Sequence, residues 1–369
     1  MKIKCPQHNL VQGINIAQKA VSGKTTIPIL KGLLIEAYDQ TVKITGNDLE
    51  IGIETTISAD IIEEGSFVVD SRLFGEIIKK LPDDEIFISV NEEYQIDIEC
   101  KNSNFKLIGF NPEEFTKLPE IEEDMCYDIP IDLLKNMIRQ TVFAISQDES
   151  RPVLMGELME VDENKINLVA LDGYRLAIKG GEISNTIGNH KMIIPGKTLQ
   201  ELNRLIGNET EGTLKIAFTE KHALFITEDT KMTTRLLEGE FLNYSQILPK
   251  EYGLRVKAKT KSILNSLERA ALMAREGKNN LVKFNITDDI LTITSNSDIG
   301  NVKEVIDIEL EGNDLEIAFN SRYFIEALKV IDTEDIYMEF NTSVSPCVVR
   351  PGDFSDYVYL LLPVRISAD

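Results

Sequence analysis

The sequence lacks the long apolar runs and paired cysteines that mark several classes of protein. No stretch reaches the roughly 18 consecutive apolar residues of a membrane span, and the N-terminus, which begins MKIK, lacks the apolar core of a signal peptide. The cysteines at positions 5, 100, 126 and 347 form no Cys-x-x-Cys pair of the kind that holds zinc or a redox disulfide. We therefore expect a cytoplasmic protein with buried free thiols.

The sequence also lacks a catalytic or metal-binding motif. Its three histidines are far apart and match no metal-ligand spacing. The run Gly23 to Thr25 resembles the end of a phosphate-binding loop, but Gln18 stands where the first glycine of GxxxxGK[ST] belongs. We interpret that run as a loop with one exposed lysine. The 61 carboxylates carry no geometric constraint that would define an acid-base pair. The sequence thus predicts no catalysis, no cofactor and no metal.

Positive charge is scarce in this chain. The 39 Lys and Arg against 61 Asp and Glu give a net charge of −22 and a pI near 4.7. A protein that binds nucleic acid with its whole surface needs clustered cations, so any contact with DNA must be local. The apolar fraction of 43% is that of a folded protein, and 369 residues exceed the usual size of one core. Two or three domains are therefore expected.

The sequence does contain one predicted helical segment that is repeated three times. The copies begin at Ser71, Gly196 and Ser321, an interval of 125 residues, and read SRLFGEIIKKL, GKTLQELNRLI and SRYFIEALKVI. Each has an apolar stripe at helical spacing and, on its polar side, the order cation, Glu, cation. Another helix opens each unit, over 8–22, 132–145 and 261–275. This period indicates tandem copies of one folding unit.

Short alternating or β-branched runs surround these helices and predict antiparallel strands, for example over 33–37, 86–90 and 357–362. The predicted fold class is therefore α+β, with three tandem copies of a domain that has two helices and an antiparallel sheet in the order βαββ-βαβββ. Acidic joints that contain proline, at 118–124 and 248–253, suggest where one copy ends and the next begins. We place the domains at 1–124, 125–252 and 253–369.

The six helical segments concentrate the positive charge. They contain 13 Lys and Arg against 5 Asp and Glu, a net charge of +8 in a chain of net charge −22. Solvation of the outer face would explain this bias in one helix, but the same bias in all six favours a shared anionic partner. Such a surface would contact DNA phosphates without reading the base sequence, and the acidic remainder would repel DNA. The residues predicted to face duplex DNA are Lys24, Arg72, Lys79, Lys80, Lys135, Arg139, Lys197, Arg204, Lys261, Arg269, Arg322 and Lys329.

The run ALDGYRLA at 170–177 resembles the ATDGHRLA signature of the bacterial DNA polymerase III beta subunit family. FLNYSQILP at 241–249, IAFN at 317–320 and LPVR at 362–365 extend the resemblance over nearly the whole chain. It implies the DNA clamp fold and a non-catalytic processivity factor, a sliding clamp that encircles duplex DNA and tethers the replicative polymerase. It also implies a head-to-tail homodimer with six domains in a ring.

In that family, the polymerase, the clamp loader and repair proteins dock a short hydrophobic motif in a groove between the second and third domains. The resemblance places this groove at Leu154, Leu171, Gly173, Tyr174, Arg175, Leu176, Leu242, Ile247, Asn320, Tyr323, Val344, Pro346, Leu360, Leu362, Pro363, Val364 and Arg365. Tyr174, Leu242, Gln246 and Val153 stand where the family commonly has His, Pro, Arg and an aromatic residue, which leaves the preferred peptide open. Residues 366–369 extend beyond the usual end and could lie beside the groove.

The resemblance further implies how two copies would join. Phe105 and Leu107 of one copy would meet Leu272 and Met273 of the other. Charges near Asp298 and Glu304 would face Arg72 or Lys106 across this joint.

One alternative from a different class stays open. An acidic enzyme built from repeated domains would use the DGYR turn to present Asp172 and Arg175 to a small substrate. A change at Arg175 distinguishes the two, because a clamp would lose affinity for peptides and still slide on DNA, whereas an enzyme would lose turnover.

Overall fold

The computed structural model describes residues 1–123, 126–184, 188–207, 211–277, 280–353 and 356–365. Within these ranges the chain forms six α-helices, two in each predicted repeat. They are α1 (Gln7–Ala17), α2 (Ser71–Lys80), α3 (Ile131–Thr141), α4 (Gly196–Ile206), α5 (Thr260–Glu276) and α6 (Ser321–Leu328). The extension at 366–369 lies outside the described residues. No helix of the described ranges is long and apolar enough to cross a membrane.

The helices begin within a residue of the predicted starts, but three of them end at least three residues earlier than predicted. α1 and α3 each give way to a 3-10 turn, over Gln18–Ala20 and Val142–Ala144, and α6 stops at Leu328. At the end of α3 the Thr141 hydroxyl donates to the Met137 carbonyl at 2.7 Å, a local hydrogen bond that competes with regular helix geometry. The apolar periodicity continues through these turns, which is why the sequence predicted longer helices.

The strands are shared evenly among the three repeats. The first third contains β1 (Lys2–Pro6), β2 (Gly32–Tyr38), β3 (Thr41–Asn47), β4 (Ile51–Ser58), β5 (Asp60–Glu63), β6 (Gly65–Asp70), β7 (Glu85–Val90), β8 (Gln95–Cys100) and β9 (Ser103–Ile108). The second contains β10 (Tyr127–Pro130), β11 (Gly156–Asp162), β12 (Lys165–Leu171), β13 (Arg175–Glu182), β14 (His190–Pro195), β15 (Thr213–Phe218), β16 (His222–Ile226) and β17 (Thr230–Arg235). The third contains β18 (Leu254–Lys259), β19 (Leu281–Thr287), β20 (Ile290–Ser297), β21 (Gly300–Asp307), β22 (Glu309–Gly312), β23 (Leu315–Asn320), β24 (Asp335–Phe340), β25 (Cys347–Pro351) and β26 (Tyr357–Leu361).

The second repeat is made of two βαβββ halves, and the first and third repeats have the same halves with one further short strand each, β5 or β22. The first half of each repeat therefore has one strand more than the sequence predicted. The missed strands are β4, β13 and β21, together with the short strands β5 and β22. β13 contains a Gly-Gly pair near its end and β21 reads GNVKEVID, so neither has the clean alternation of apolar residues that identifies a strand.

The contacts divide the chain into two compact units, and each sheet belongs to one of them. The first unit comprises Met1–Ile131 and Glu201–Leu236. Its eight-stranded sheet has the order β10-β15-β16-β17-β4-β3-β2-β6, and its five-stranded sheet has the order β5-β1-β7-β8-β9. The antiparallel pairing of β17 with β4 joins strands of the first and second repeats in one continuous sheet.

The second unit comprises Asp132–Gln200 and Leu237–Asp369. Its nine-stranded sheet has the order β14-β11-β12-β13-β26-β25-β24-β18-β22, and its four-stranded sheet has the order β21-β20-β19-β23. Here β13 pairs with β26, so the DGYR turn of the second repeat lies beside the end of the third. This pairing positions the candidate site.

The helices cover apolar faces of these sheets. In the first unit Leu10 and Ile14 of α1 and Phe74 and Ile78 of α2 are fully buried in a core with β-strand residues. In the second unit α5 and α6 contribute to a core that contains the tightly packed rings of Phe284, Phe319 and Phe324. The apolar stripes of the predicted helices therefore face the interior, as their periodicity indicated.

Three of the four cysteines are buried free thiols, as the sequence predicted, and Cys126 is half-buried. Burial raises the pKa of the Cys5 thiol to about 12 and that of Cys347 well above its usual value. At neutral pH these two side chains are protonated and act as small apolar groups.

Candidate functional site

An apolar floor in the second unit is formed by side chains from the strands β11 to β14, β25 and β26 and from the 3-10 turn at Pro152–Met155. Leu176 of β13 lies opposite Leu360 of β26, and Leu171 lies opposite Leu176 across the neighbouring strand pair. The buried members of this floor are Leu154, Leu158, Val169, Leu171, Leu176, Ile178, Ile193, Val348 and Leu360. The structure thus brings four of the predicted groove residues, at 154, 171, 176 and 360, into one cluster.

Exposed apolar side chains come from the segments that border this floor. Tyr174, Leu242, Ile247, Val344 and Leu362 are between 37 and 67% exposed. Large apolar side chains that remain exposed in a group mark sites of interaction more often than isolated ones do. We call the floor and this rim together the groove.

The segment that carries Leu242 and Ile247 is anchored on the floor. Its Phe241, Tyr244 and Leu248 pack against the buried cluster. The Tyr244 hydroxyl donates to Glu160 at 2.5 Å. Burial, together with the neighbouring Glu160, raises the pKa of Tyr244. The anchors fix the segment while its other apolar residues stay accessible.

Arg175 lies beneath the rim rather than on it. Its side chain is 6% exposed, forms ion pairs with Asp172 at 3.0 Å and with Glu326, and donates to the Phe143 carbonyl at 2.6 Å. The guanidinium also lies 4.4 Å from the centre of the Tyr323 ring. A cation enclosed in this way is not presented to a small substrate, which counts against the enzyme alternative.

The DGYR turn owes its shape to local bonds. Gly173 has φ +94°, a conformation that favours glycine, and Asp172 accepts hydrogen bonds from the amides of Tyr174 at 2.8 Å and Arg175 at 3.1 Å. Tyr174 projects outward and stacks on Tyr323 with ring centres 6.3 Å apart. The turn therefore presents an aromatic side chain above a buried arginine.

The end of the described chain crosses the same region. The Leu362 amide donates to the Tyr174 carbonyl and the Val364 amide to the Ala318 carbonyl, both at 2.8 Å. Pro346, Pro363 and Val364 are half-buried, and Arg365 is exposed. Asn320 has a structural role, because its side chain accepts from the Arg322 amide at the start of α6.

Some members of the groove were not predicted from the sequence. Leu158, Val169, Ile193 and Val348 complete the floor, and Tyr244 anchors the rim. The alternation within β11 and β12 could have identified Leu158 and Val169, which face each other across that strand pair. Val348 could be assigned to the floor only once β25 was known to pair with β26.

The cations predicted to face DNA lie at the surface of their own units, but several are paired. Lys135 and Arg139 are half-buried and the other ten are exposed. Arg72 pairs with Glu76 at 3.2 Å, Arg204 with Glu201 at 2.5 Å and Arg322 with Glu326 at 2.8 Å, each one helical turn apart. Further pairs link Arg139 with Asp332, Arg269 with Glu304 and Lys329 with Glu268. Part of the repeated cation, Glu, cation order therefore serves helix-stabilising ion pairs.

The strands β9 and β21 are sheet edges in the described part of the chain, one in each unit. On β9, Phe105 is exposed and Leu107 is half-buried. Beside β21, Leu272 of α5 is 57% exposed and Met273 is half-buried. Unpaired edges are templates for pairing with another chain.

Three of the four charges expected across the joint, Arg72, Lys106 and Glu304, have partners within the same chain. Glu304 accepts from Arg269, Lys106 pairs with Asp97 at 3.3 Å and Arg72 pairs with Glu76. Arg269 holds the pKa of the Glu304 carboxyl below its usual value. These intrachain pairs would have to open before such charges could bridge two copies.

The described residues contain no group of His, Cys, Asp or Glu that could hold a metal ion. Sequence comparison finds matches to three domain profiles that follow one another along the chain. They are described as the N-terminal, central and C-terminal domains of the DNA polymerase III beta subunit, and they match residues 1–119, 128–243 and 245–365.

Whole proteins match over the same length. The beta sliding clamp of Staphylococcus aureus is 36% identical over 375 residues, which cover 99% of each chain. The crystal structure of the DNA polymerase sliding clamp from Bacillus subtilis superposes with a TM-score of 0.97 at 36% identity and covers 99% of both chains. A sliding clamp from Pseudomonas aeruginosa bound to griselimycin superposes with a TM-score of 0.94 at 27% identity, covering 99% of this chain and 100% of that one.

Proposed function

The chain belongs to the DNA polymerase III beta subunit family, and we propose that two copies close head to tail into a ring that slides on duplex DNA. The family consists of sliding clamps, which are processivity factors rather than enzymes. In this proposal the ring tethers the replicative polymerase, and the clamp loader and repair proteins use the same groove. The three domains span 1–124, 125–252 and 253–369, and the protein acts in the cytoplasm.

The observation that carries the tethering role is the groove in the second unit. Its floor is buried and apolar, and its rim exposes Tyr174, Leu242, Ile247, Val344 and Leu362. An apolar channel with a few polar groups at its border suits a short extended peptide whose large side chains fill the floor. Arg175 supports the turn that carries Tyr174 and does not contact the peptide through its charge.

Two sheet edges support ring closure. β9 lies at one edge of the five-stranded sheet, and β21 lies at one edge of the four-stranded sheet. In a head-to-tail dimer β9 of one copy would pair with β21 of the other and extend both sheets. Phe105 and Leu107 would then bury Leu272 and Met273, which are accessible in the single chain.

The basic helices support contact with DNA. Lys79 and Lys80 of α2 and Lys261 of α5 are exposed, as is Lys24 in the loop that follows α1. Lysines in such positions bind phosphates as mobile point charges, without base readout. The binding should be weak, sensitive to salt and indifferent to sequence, as sliding requires.

The test is primer extension on a long, singly primed circular template with a bacterial replicative polymerase and its clamp loader. Addition of this protein should lengthen the products of a single binding event by at least about tenfold, because a tethered polymerase rebinds at high effective concentration. Product lengths that stay the same would overturn the proposal. A variant that lacks the region from Leu362 onward serves as control, since it should form the ring without holding the polymerase.

A further inference from the structure

A second cleft of about 220 Å³ opens beside the groove in the second unit. We call it the flank cleft and define it by Tyr252, Arg255, Glu339, Pro346 and Arg350. It adjoins the groove, because Pro346 is a predicted groove residue and Val348, which also lines the cleft, belongs to the apolar floor. A peptide that leaves the groove at this end would enter the flank cleft.

The centre of the flank cleft is one carboxylate shared by two arginines. Glu339 is 8% exposed. It accepts from Arg255 Nη2 at 2.7 Å and Nε at 3.2 Å through Oε1, and from Arg350 Nε at 3.2 Å through Oε2. Cross-strand pairing accounts for the first contact, since Arg255 and Glu339 are opposite each other on β18 and β24. Two cations on one anion leave one positive charge in excess.

The lining as a whole keeps this excess. Lys250 and Glu251 are the other charged residues of the cleft, both are exposed, and their charges cancel. The lining therefore carries +1, but Glu311, which lies opposite Arg255 on β22, offsets this charge from outside the cleft. The group available to an anionic ligand is therefore the partly exposed guanidinium of Arg350, rather than a general excess of positive charge.

The two arginines differ in how firmly they are held. Arg255 is stacked on Tyr252, with its guanidinium carbon 4.2 Å from the ring centre, and lies 5.3 Å from the centre of the Tyr337 ring. Arg350 is 33% exposed and its hydrogen bond within the described residues runs through Nε alone. Its two terminal amino groups can therefore form a bidentate contact with a carboxylate.

We propose that the flank cleft binds an acidic side chain of the partner peptide, immediately outside the hydrophobic motif that fills the groove. This inference rests on the proposed function of the groove and adds a specificity element to it. The carboxylate of the peptide pairs with Arg350, while Arg255 and Glu339 hold that arginine in place. Partners with an Asp or Glu at this flank are favoured over partners with a neutral residue.

The experiment measures fluorescence polarisation with labelled peptides from a polymerase C-terminal tail and the full-length protein. The peptides share one hydrophobic motif and differ only by Asp or Asn, placed directly before or directly after it. At one of the two positions the Asp peptide should bind about fivefold tighter than its Asn counterpart, the scale of a partly exposed charged contact. The difference should shrink as ionic strength rises.

Variants assign the effect to the cleft. Arg350→Gln should reduce the Asp preference to below about twofold and leave the affinity of the Asn peptide unchanged, because the groove is intact. Arg350→Lys keeps the positive charge but loses the planar guanidinium that forms bidentate hydrogen bonds, and it should show an intermediate preference for the Asp peptide. Lys283→Gln is the matched control, since Lys283 is a similarly exposed cation paired with Glu316 on the four-stranded sheet. Thermal melts of all three variants would verify that they fold.

The possible outcomes distinguish failure of this inference from failure of the proposed peptide binding in the groove. Equal affinities for the Asp and Asn peptides at both positions would refute the proposed role of the flank cleft without affecting the proposed role of the groove. A preference for Asp that persists in Arg350→Gln would have the same meaning. Failure of every peptide to bind the unmodified protein would overturn the proposed groove and this inference with it.

Discussion

Replacing Arg175 by alanine removes the cation that holds the DGYR turn beneath the rim of the groove. Breaking a buried ion pair by deleting one partner costs about 3 to 5 kcal/mol. The cost is smaller here, because Glu326 keeps Arg322 at 2.8 Å and Asp172 keeps its two backbone amides. Loss of the stacking on Tyr323 adds about 1 kcal/mol. We expect a local loss of about 2 to 3 kcal/mol.

Hydrogen exchange measured by mass spectrometry resolves this loss, because it reports opening segment by segment. Protection of β13 and α6 should fall about 30- to 140-fold, the equivalent of 2 to 3 kcal/mol. Arg322→Ala is the matched control, since Arg322 pairs with the same Glu326 but is 65% exposed, and it should cost under about 1 kcal/mol. If Arg175→Ala weakened protection no more than this control, the buried role given to Arg175 would be wrong.

Arg175→Ala also separates a clamp from an enzyme. The displaced turn should weaken binding of a polymerase-tail peptide by at least about tenfold, since the rim loses its support, while sliding on DNA persists. Unchanged peptide affinity would contradict the link between the turn and the groove.

Three further predictions concern the joint, the chain end and a buried acid. Leu272→Asp should place an unpaired charge in the dimer joint, so light scattering at micromolar concentration should give the mass of a single 41.5 kDa chain. The control Ile62→Asp, on the opposite edge of the five-stranded sheet, should leave a dimer. A dimer in both variants would refute the proposed joint. Deletion of 362–369 should abolish binding of a polymerase-tail peptide with the ring intact, and unimpaired binding would move the pocket elsewhere. Burial raises the pKa of Glu157 to about 8, so its contribution to stability is full below its unfolded pKa and is lost as pH rises towards 8. In chemical denaturation, the free energy of unfolding of Glu157→Gln should therefore decline less between pH 5 and 8 than that of the unmodified protein. An identical decline in both proteins would contradict this role of Glu157.

The sequence predicted the helices well because their repeat is strict. An interval of 125 residues with matching apolar positions placed Phe74, Leu199 and Phe324 in helix cores, and all three are fully buried. Strands such as β13 were not predicted, because glycines and charged residues interrupt the alternation of apolar and polar positions. Local pattern thus predicts elements whose buried face is continuous, and it fails where a strand is stabilised mainly by its neighbours.

The candidate site was predictable only in part. Resemblance to a family named its residues, but the burial of Arg175 could not be read from the sequence, because Glu326 lies 151 positions away. The flank cleft depends in the same way on register, since Arg255 meets Glu339 only when β18 pairs with β24. The pairing of Arg72 with Glu76, in contrast, was visible at a spacing of four residues. Contacts between distant segments are what the sequence alone does not specify.

The most direct test of the central claim is topological. The protein is loaded onto nicked circular DNA by a clamp loader, the free protein is removed, and the DNA is then cut once. A ring that encircles DNA without gripping it should stay on the circle through gel filtration and should slide off the open ends after the cut. Equal retention on circular and linear DNA would contradict the account, because it would show that the protein binds the duplex from outside.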